Sequence, residues 1–242
     1  MRGRGVVLLM AVVGVLSGCG LETVDTLASP PVDFSTQTDF TQISLTHSAS
    51  LYDQSVFQGY YIYYKVYTSQ AIDLSGIQSD RDTLATSPTI DKLAAMGYYR
   101  LSISGTSISG TTPTSDSPID LEPFFPTGLA DKDVITLDFF DFVSAGATKF
   151  VTRPVAKLNG SSWSGKSFVY RYQSLSTGHV SFWNLPTSVT STDPDVAAWP
   201  TTDTRTTGEE IDVFIVAYGM TGSLQAVYSK PVPWGIIRIP VR

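Results

Sequence analysis

Between residues 41 and 241 the chain alternates apolar and polar positions far more often than it repeats every three or four residues. Ile43 and Leu45 share one side of the segment 41–46. In the segment 60–67, Tyr60, Ile62, Tyr64 and Val66 line one side, and Tyr61, Tyr63, Lys65 and Tyr67 line the other. The same period of two marks 134–143, 168–172, 180–185 and 211–218, with 236–241 as a terminal strand in which Pro240 suits an edge or an end. Asn159-Gly160 is a turn signal between two apolar runs. One stretch breaks the habit. Ser87-Pro88 offers an N-cap and a proline at the first helical position, Ile90, Leu93, Ala94 and Met96 make an apolar stripe, and Gly97 closes it. The pattern therefore predicts a mainly β chain with one short helix. The stretches 104–118 and 187–208, rich in Ser, Thr, Gly and Pro, read as loops, the second pinned by Trp199.

A longer apolar run lies at the beginning, from Val6 to Leu16 behind Arg2 and Arg4. A positive start, a short apolar stretch and small residues at its end make an export signal, and the stretch is too short to span a bilayer. Cys19, the only cysteine in the chain, follows directly. The segment Leu16-Ser17-Gly18-Cys19 resembles the lipobox of bacterial lipoproteins. That resemblance implies cleavage after residue 18 and lipid on Cys19, a diacylglycerol plus an N-acyl chain. Each buried CH₂ contributes about 0.8 kcal/mol, so one chain holds weakly and two or more hold firmly. On this reading residues 1–18 are a signal peptide, and 19–33, which contain Pro30-Pro31 and no sustained period, are a lipidated tether. Such a tether, fully extended, reaches at most ~50 Å. Gly20 rather than Asp after the Cys resembles the sorting signal for the outer membrane in enteric bacteria. The expected location is the bacterial cell envelope, and the expected partner is the membrane itself, through lipid.

Composition narrows the classes further. The formal net charge is −6, which argues against nucleic acid and against electrostatic adhesion to anionic lipid. With a single Cys no intrachain disulfide forms, so an exported fold rests on packing alone. Charged residues are 16% of the chain, whereas Ser, Thr, Gly and Tyr are plentiful, a balance that suits β-rich envelope proteins.

The segment Phe57-Gln58-Gly59-Tyr60-Tyr61-Ile62-Tyr63-Tyr64-Lys65 resembles the third strand of a fibronectin type III domain, with its hydrophobic-x-Gly-Tyr-x-hydrophobic-x-Tyr pattern. Val213 to Gly219, followed by Tyr228-Ser229-Lys230-Pro231-Val232, resembles the last two strands of the same domain. The resemblance implies an immunoglobulin-like antiparallel β-sandwich with halves at 34–70 and 205–242, separated by a β-rich insertion over 71–204 that carries the helix. Two positions depart from the family: Thr46-His47 stands where a strand Trp is usual, and Ile211 stands at the tyrosine corner. The Gly-Tyr-x-hydrophobic-Tyr-Tyr-Lys strand also gives the chain a likeness to spirochaetal envelope lipoproteins.

Candidate chemistry is sparse. Gly160-Ser161-Ser162-Trp163-Ser164-Gly165-Lys166-Ser167 matches the phosphate-loop spacing, but that loop needs a helix directly after it to point an N-terminus at the anion. Phe168 to Tyr172 is β-branched and aromatic, so the motif reads as a hairpin loop. The runs beginning at Gly105 and Gly160 each miss the last glycine of a hydrolase elbow. His47 and His179 are the only imidazoles and fall on predicted strands. Asp193-Pro194-Asp195 with Asp203 offers hard oxygen ligands for Ca²⁺, yet is equally a plain turn, and Asp138 and Asp141 fall on opposite strand faces. No catalytic residue, cofactor or metal is assigned. The best hint of binding is the ladder Tyr61, Tyr63 and Tyr67: left open, it offers apolar area with polar tips to a protein or glycan; covered by 71–204, it is core. The reading is a non-catalytic interaction or structural module. The alternatives are a hydrolase on carbohydrate or peptide and a receptor for a small ligand or metal.

Overall fold

The computed structural model describes residues 26–32, 40–68, 75–103, 124–126, 128–139, 142–144, 150–152, 155–162, 169–174, 178–181, 193–197 and 209–239. Its backbone is mainly β: β1 (Gln42–Thr46), β2 (Phe57–Thr68), α1 (Ser75–Ala85), α2 (Ile90–Ala95), β3 (Tyr99–Arg100), β4 (Ser102–Ile103), β5 (Phe125–Pro126), β6 (Val134–Asp138), β7 (Phe142–Ser144), β8 (Phe150–Thr152), β9 (Val155–Leu158), β10 (Ser161–Ser162), β11 (Val169–Ser174), β12 (Gly178–Ser181), β13 (Glu209–Met220), β14 (Ala226–Tyr228) and β15 (Val232–Ile239). All pairings between these strands are antiparallel.

Two long strands organise the molecule. β2 and β13, twelve residues each, pair from Glu209↔Thr68 to Gly219↔Phe57. β14 and β15 follow each other along the far edge of β13, while β3 and β5 do the same on β2. This six-stranded sheet faces a second sheet of order β1-β6-β9-β10. Between them lies the main core. Tyr60, Ile62, Tyr64 and Val66 of β2 and Ile211, Val213, Ile215 and Ala217 of β13 meet Ile43 and Leu45 of β1 and Ile135 and Leu137 of β6. Trp234 of β15 donates its indole N–H across the gap to the Ser44 carbonyl at 3.0 Å, satisfying its one polar atom inside the core. β1 reads alternately exposed and buried, as its pattern predicts.

The stretch 71–204 extends this sandwich, since it supplies β6 and β9 to the second sheet and β3 and β5 to the first. Among its described residues it carries two α-helices, one more than the pattern predicts. α2 begins two residues later than Ser87-Pro88 suggests: Thr89 is extended (φ −129°, ψ 156°), and its side chain accepts from the Lys92 N–H. Gly97 ends it with φ +80°, as expected. α1 is the unexpected element. The segment 134–143 divides into β6 and β7, which belong to different sheets. Asn159 and Gly160, both at positive φ, make the turn from β9 to β10.

Before β1, Leu27 and Val32 pack against the main core. Gly219 makes room for this contact. A Cβ there would stand 2.7 Å from the Val56 carbonyl oxygen and 3.0 Å from Leu27 Cδ1, so only glycine lets both approach.

Candidate functional site

The tyrosine ladder does not form an open face. Tyr61 and Tyr67 are buried and Tyr63 is half-buried, because α1, α2 and the segment leading into β3 cover that side of the six-stranded sheet. Tyr61 stacks on Tyr218 with centroids 4.7 Å apart, and the Arg100 guanidinium lies 4.7 Å from the Tyr61 ring centroid. Burial raises the Tyr61 hydroxyl pKa above its ordinary value.

Further along the same face a polar network fixes α1. Asp212 sits in the middle of β13, opposite Lys65 of β2, and is fully buried. Its Oδ1 accepts from Arg81 Nε at 3.0 Å and Nη2 at 2.5 Å, and its Oδ2 accepts from the Tyr98 hydroxyl at 2.7 Å. Arg81 also reaches the Gly235 carbonyl at 3.2 Å. The Tyr98 and Tyr67 hydroxyls lie 3.1 Å apart, and Tyr67 donates to Asp80 Oδ2 at 2.5 Å. Lys65 closes the set, donating to Asp80 Oδ2 at 2.7 Å and to the Met96 carbonyl at 2.8 Å. Burial pushes the Asp212 carboxyl up, against the pull of Arg81 and Tyr98. Chemically, the network joins helix to sheet: each carboxylate is engaged by donors of its own chain.

The remaining candidates meet similar fates. Asp193 and Asp195 bind Arg171, which is fully buried on β11. Arg171 Nε donates to Asp195 Oδ2 at 2.8 Å, its Nη2 to both carboxylates, and the Tyr64 hydroxyl to Asp195 Oδ2 at 2.5 Å. The Asp-Pro-Asp turn is thus spent on a guanidinium, and Val66 of β2 donates its N–H to the Asp195 carbonyl and accepts from the Ala197 N–H. Asp138 pairs with Lys157 at 2.5 Å. Among the described residues no group of three or more His, Cys, Asp or Glu is placed to hold a metal.

His47, directly after β1, is 1% exposed in an aromatic box. Phe57 and Tyr52 stack on it at 5.4 and 5.9 Å, Tyr60 meets it edge-on, and its Nδ1 is 2.8 Å from the Tyr60 hydroxyl. Its backbone is clamped by Asp133 and Lys132. Burial lowers its pKa, with Asp133 and Asp131 opposing.

Cys19, Trp163 to Ser167, Trp199, Asp203 and Asp141 lie outside the described residues, as does the side chain of His179. The phosphate-loop spacing leads into β11, a strand rather than the helix that such a loop requires. Sequence reasoning missed Arg81, Asp212, Arg171 and Asp195 as partners. The available signal was a charged residue inside each apolar strand, Asp212 within Ile211–Tyr218 and Arg171 within 168–172. Such a residue faces a cationic or anionic partner or leaves the core.

Comparison with protein-family models, with curated proteins and with solved structures finds no match for this chain.

Proposed function

We propose that this chain is an exported bacterial lipoprotein, held in the cell envelope by lipid on Cys19, whose β-sandwich serves as a non-catalytic interaction or structural module. The observation that carries the reading is the lipobox-like Leu16-Ser17-Gly18-Cys19 behind a positive apolar leader, with the chain's only thiol at its last position. The fibronectin-like assignment draws support from the neighbours of β13, which pairs with β2 on one side and with β14 and β15 on the other. Support for a non-catalytic role comes from the carboxylates and the imidazole that sequence offered for chemistry. Asp138, Asp193 and Asp195 are bound to internal cations, and His47 is walled in by rings. No helix among the described residues is long and apolar enough to cross a membrane.

Expression in a lipoprotein-processing bacterium, with mass analysis of the mature N-terminus, tests the reading. The expected result is a chain beginning at an acylated Cys19 that enters the detergent phase, and a Cys19→Ser variant that stays in the aqueous phase. An intact, unacylated leader on native material would overturn it.

A further inference from the structure

The docked N-terminal segment sets how the body stands relative to its anchor. Eight residue steps separate Leu27 from Cys19, so their Cα atoms lie at most about 29 Å apart. β2, with twelve residues, is about 40 Å long. Leu27 is seated beside Gly219 and Val56, where β13 ends and β2 begins. From that end the tether is too short to carry Cys19 past the opposite end of the sheet, where Thr68 pairs with Glu209.

The same end carries the exposed apolar side chains. Leu51 (43% exposed) and Leu224 (78% exposed) are the exposed large hydrophobics among the described residues. Leu51 ends the one-turn helix between β1 and β2, and Leu224 stands on the β13–β14 turn. The Met220 N–H, which precedes that turn, bonds to the Val56 carbonyl, so the two loops are neighbours at the mouth beside Leu27. Leu224 is held at φ +61°, a left-handed conformation that is strained for a side chain with a Cβ and that glycine would adopt freely. An apolar residue kept in a strained, solvent-exposed place asks for an apolar neighbour. Asp53 on the β1–β2 loop, with Asp131, Lys132 and Asp133 on the adjoining approach to β6, makes this end mainly acidic, which disfavours an anionic surface and suits a zwitterionic one.

We infer that the end of the sandwich bearing Leu27, Leu51 and Leu224 faces the lipid surface, and that Leu51 and Leu224 enter its interface beside the acyl anchor. This rests on lipidation of Cys19. The body then stands with β2 and β13 rising from the bilayer, and the end of the sheet where Thr68 pairs with Glu209 faces outward, toward a partner.

The test uses full-length acylated protein. Once Cys19 carries lipid, Leu224→Cys and Leu51→Cys each introduce the only free thiol, and both positions are exposed enough to tolerate the change. Each is labelled with an environment-sensitive fluorophore and reconstituted into vesicles of phosphatidylcholine and phosphatidylethanolamine carrying doxyl-labelled phosphatidylcholine. Gln78→Cys, on exposed α1 surface next to the Ile77 that packs on Tyr67, reports the other end. The expected result is blue-shifted emission and several-fold stronger quenching at 224 and 51 than at 78, with unchanged melting temperature. Equal, weak quenching at all three positions on a chain proved acylated by mass overturns the orientation and leaves the anchor standing. An unacylated Cys19 removes both.

Discussion

The two faces of the six-stranded sheet are both buried, yet different forces bury them. Toward the second sheet, β2 and β13 present Ile62, Val66, Val213 and Ile215, and packing and the hydrophobic effect hold the layers together. Toward the helices the same strands present Lys65, Tyr67, Asp212 and Phe214, and the joint is a chain of directed bonds from Arg81 through Asp212, Tyr98, Tyr67 and Asp80 to Lys65. The first face is tolerant of detail and strong in sum. The second places α1 at one register only, and its strength depends on every member being present.

Removing Asp212 breaks the second face most severely. Asp212→Ala strands the Arg81 guanidinium and leaves the Tyr98 hydroxyl without its acceptor, at a cost of about 3–5 kcal/mol. Ile62→Ala on the other face costs about 2–5 kcal/mol through lost burial and a cavity. Their rescues separate the mechanisms. Arg81→Met combined with Asp212→Leu recovers most of the loss, because burial already pushes the Asp212 carboxyl up and the pair returns little beyond its own desolvation. Denaturant unfolding of the single and paired variants measures this. A paired variant as unstable as Asp212→Ala alone would show that the ion pair is a net source of stability.

A milder cut touches only the helical layer. Thr89→Ala removes the side-chain acceptor of the Lys92 N–H and destabilises by about 1 kcal/mol. Hydrogen exchange read residue by residue shows the loss at α2 and at the Leu93–Tyr98 contacts, with β1 and β6 unaffected. Uniformly faster exchange in both layers would mean that they open together and the contrast between the faces has no energetic content.

The contrast also explains what could be read from the sequence. Alternation located β1, β2, β13 and β15, because burial on at least one face writes a period of two. It could not tell that the tyrosine face is covered, since Tyr suits an open surface and a lined interior equally. The cover, α1, hid for a related reason. Its inward positions are Ile77, Arg81 and Leu84, so the middle of the apolar stripe is a cation, and the helical signal falls below notice. The start of α2 was misplaced because Ser87-Pro88 satisfies the statistics of a helix start, whereas Thr89 makes the actual bond. The lipobox-like spacing that the proposed anchor rests on lies along the chain, whereas the buried ion pairs do not. A lipobox is read locally along the chain, but Arg81–Asp212 and Arg171–Asp195 join residues brought together by folding.

Acid gives the finest comparison, and it reverses the obvious expectation. The face dense with charge carries no imidazole among its described residues, and the raised pKa of its buried Asp212 carboxyl favours the folded chain as pH falls. The apolar side holds His47 in its box of Tyr52, Phe57 and Tyr60, with Asp131 and Asp133 as the nearby charges. Desolvation lowers its pKa below the ordinary 6.5, and those two carboxylates offset only part of the effect. The unfolded chain therefore binds a proton before the folded one does. Stability from neutral His47 is complete above about pH 7.5, falls as pH drops through 6.5, and stops falling below the folded pKa. His47→Phe keeps the ring packing, gives up the Tyr60 bond and removes the titration. Melting temperature measured from about pH 7.5 down to 5 should fall in the parent and stay nearly level in His47→Phe. Parallel curves would place the acid-sensitive group elsewhere, and the apolar face would lose its one pH-dependent element.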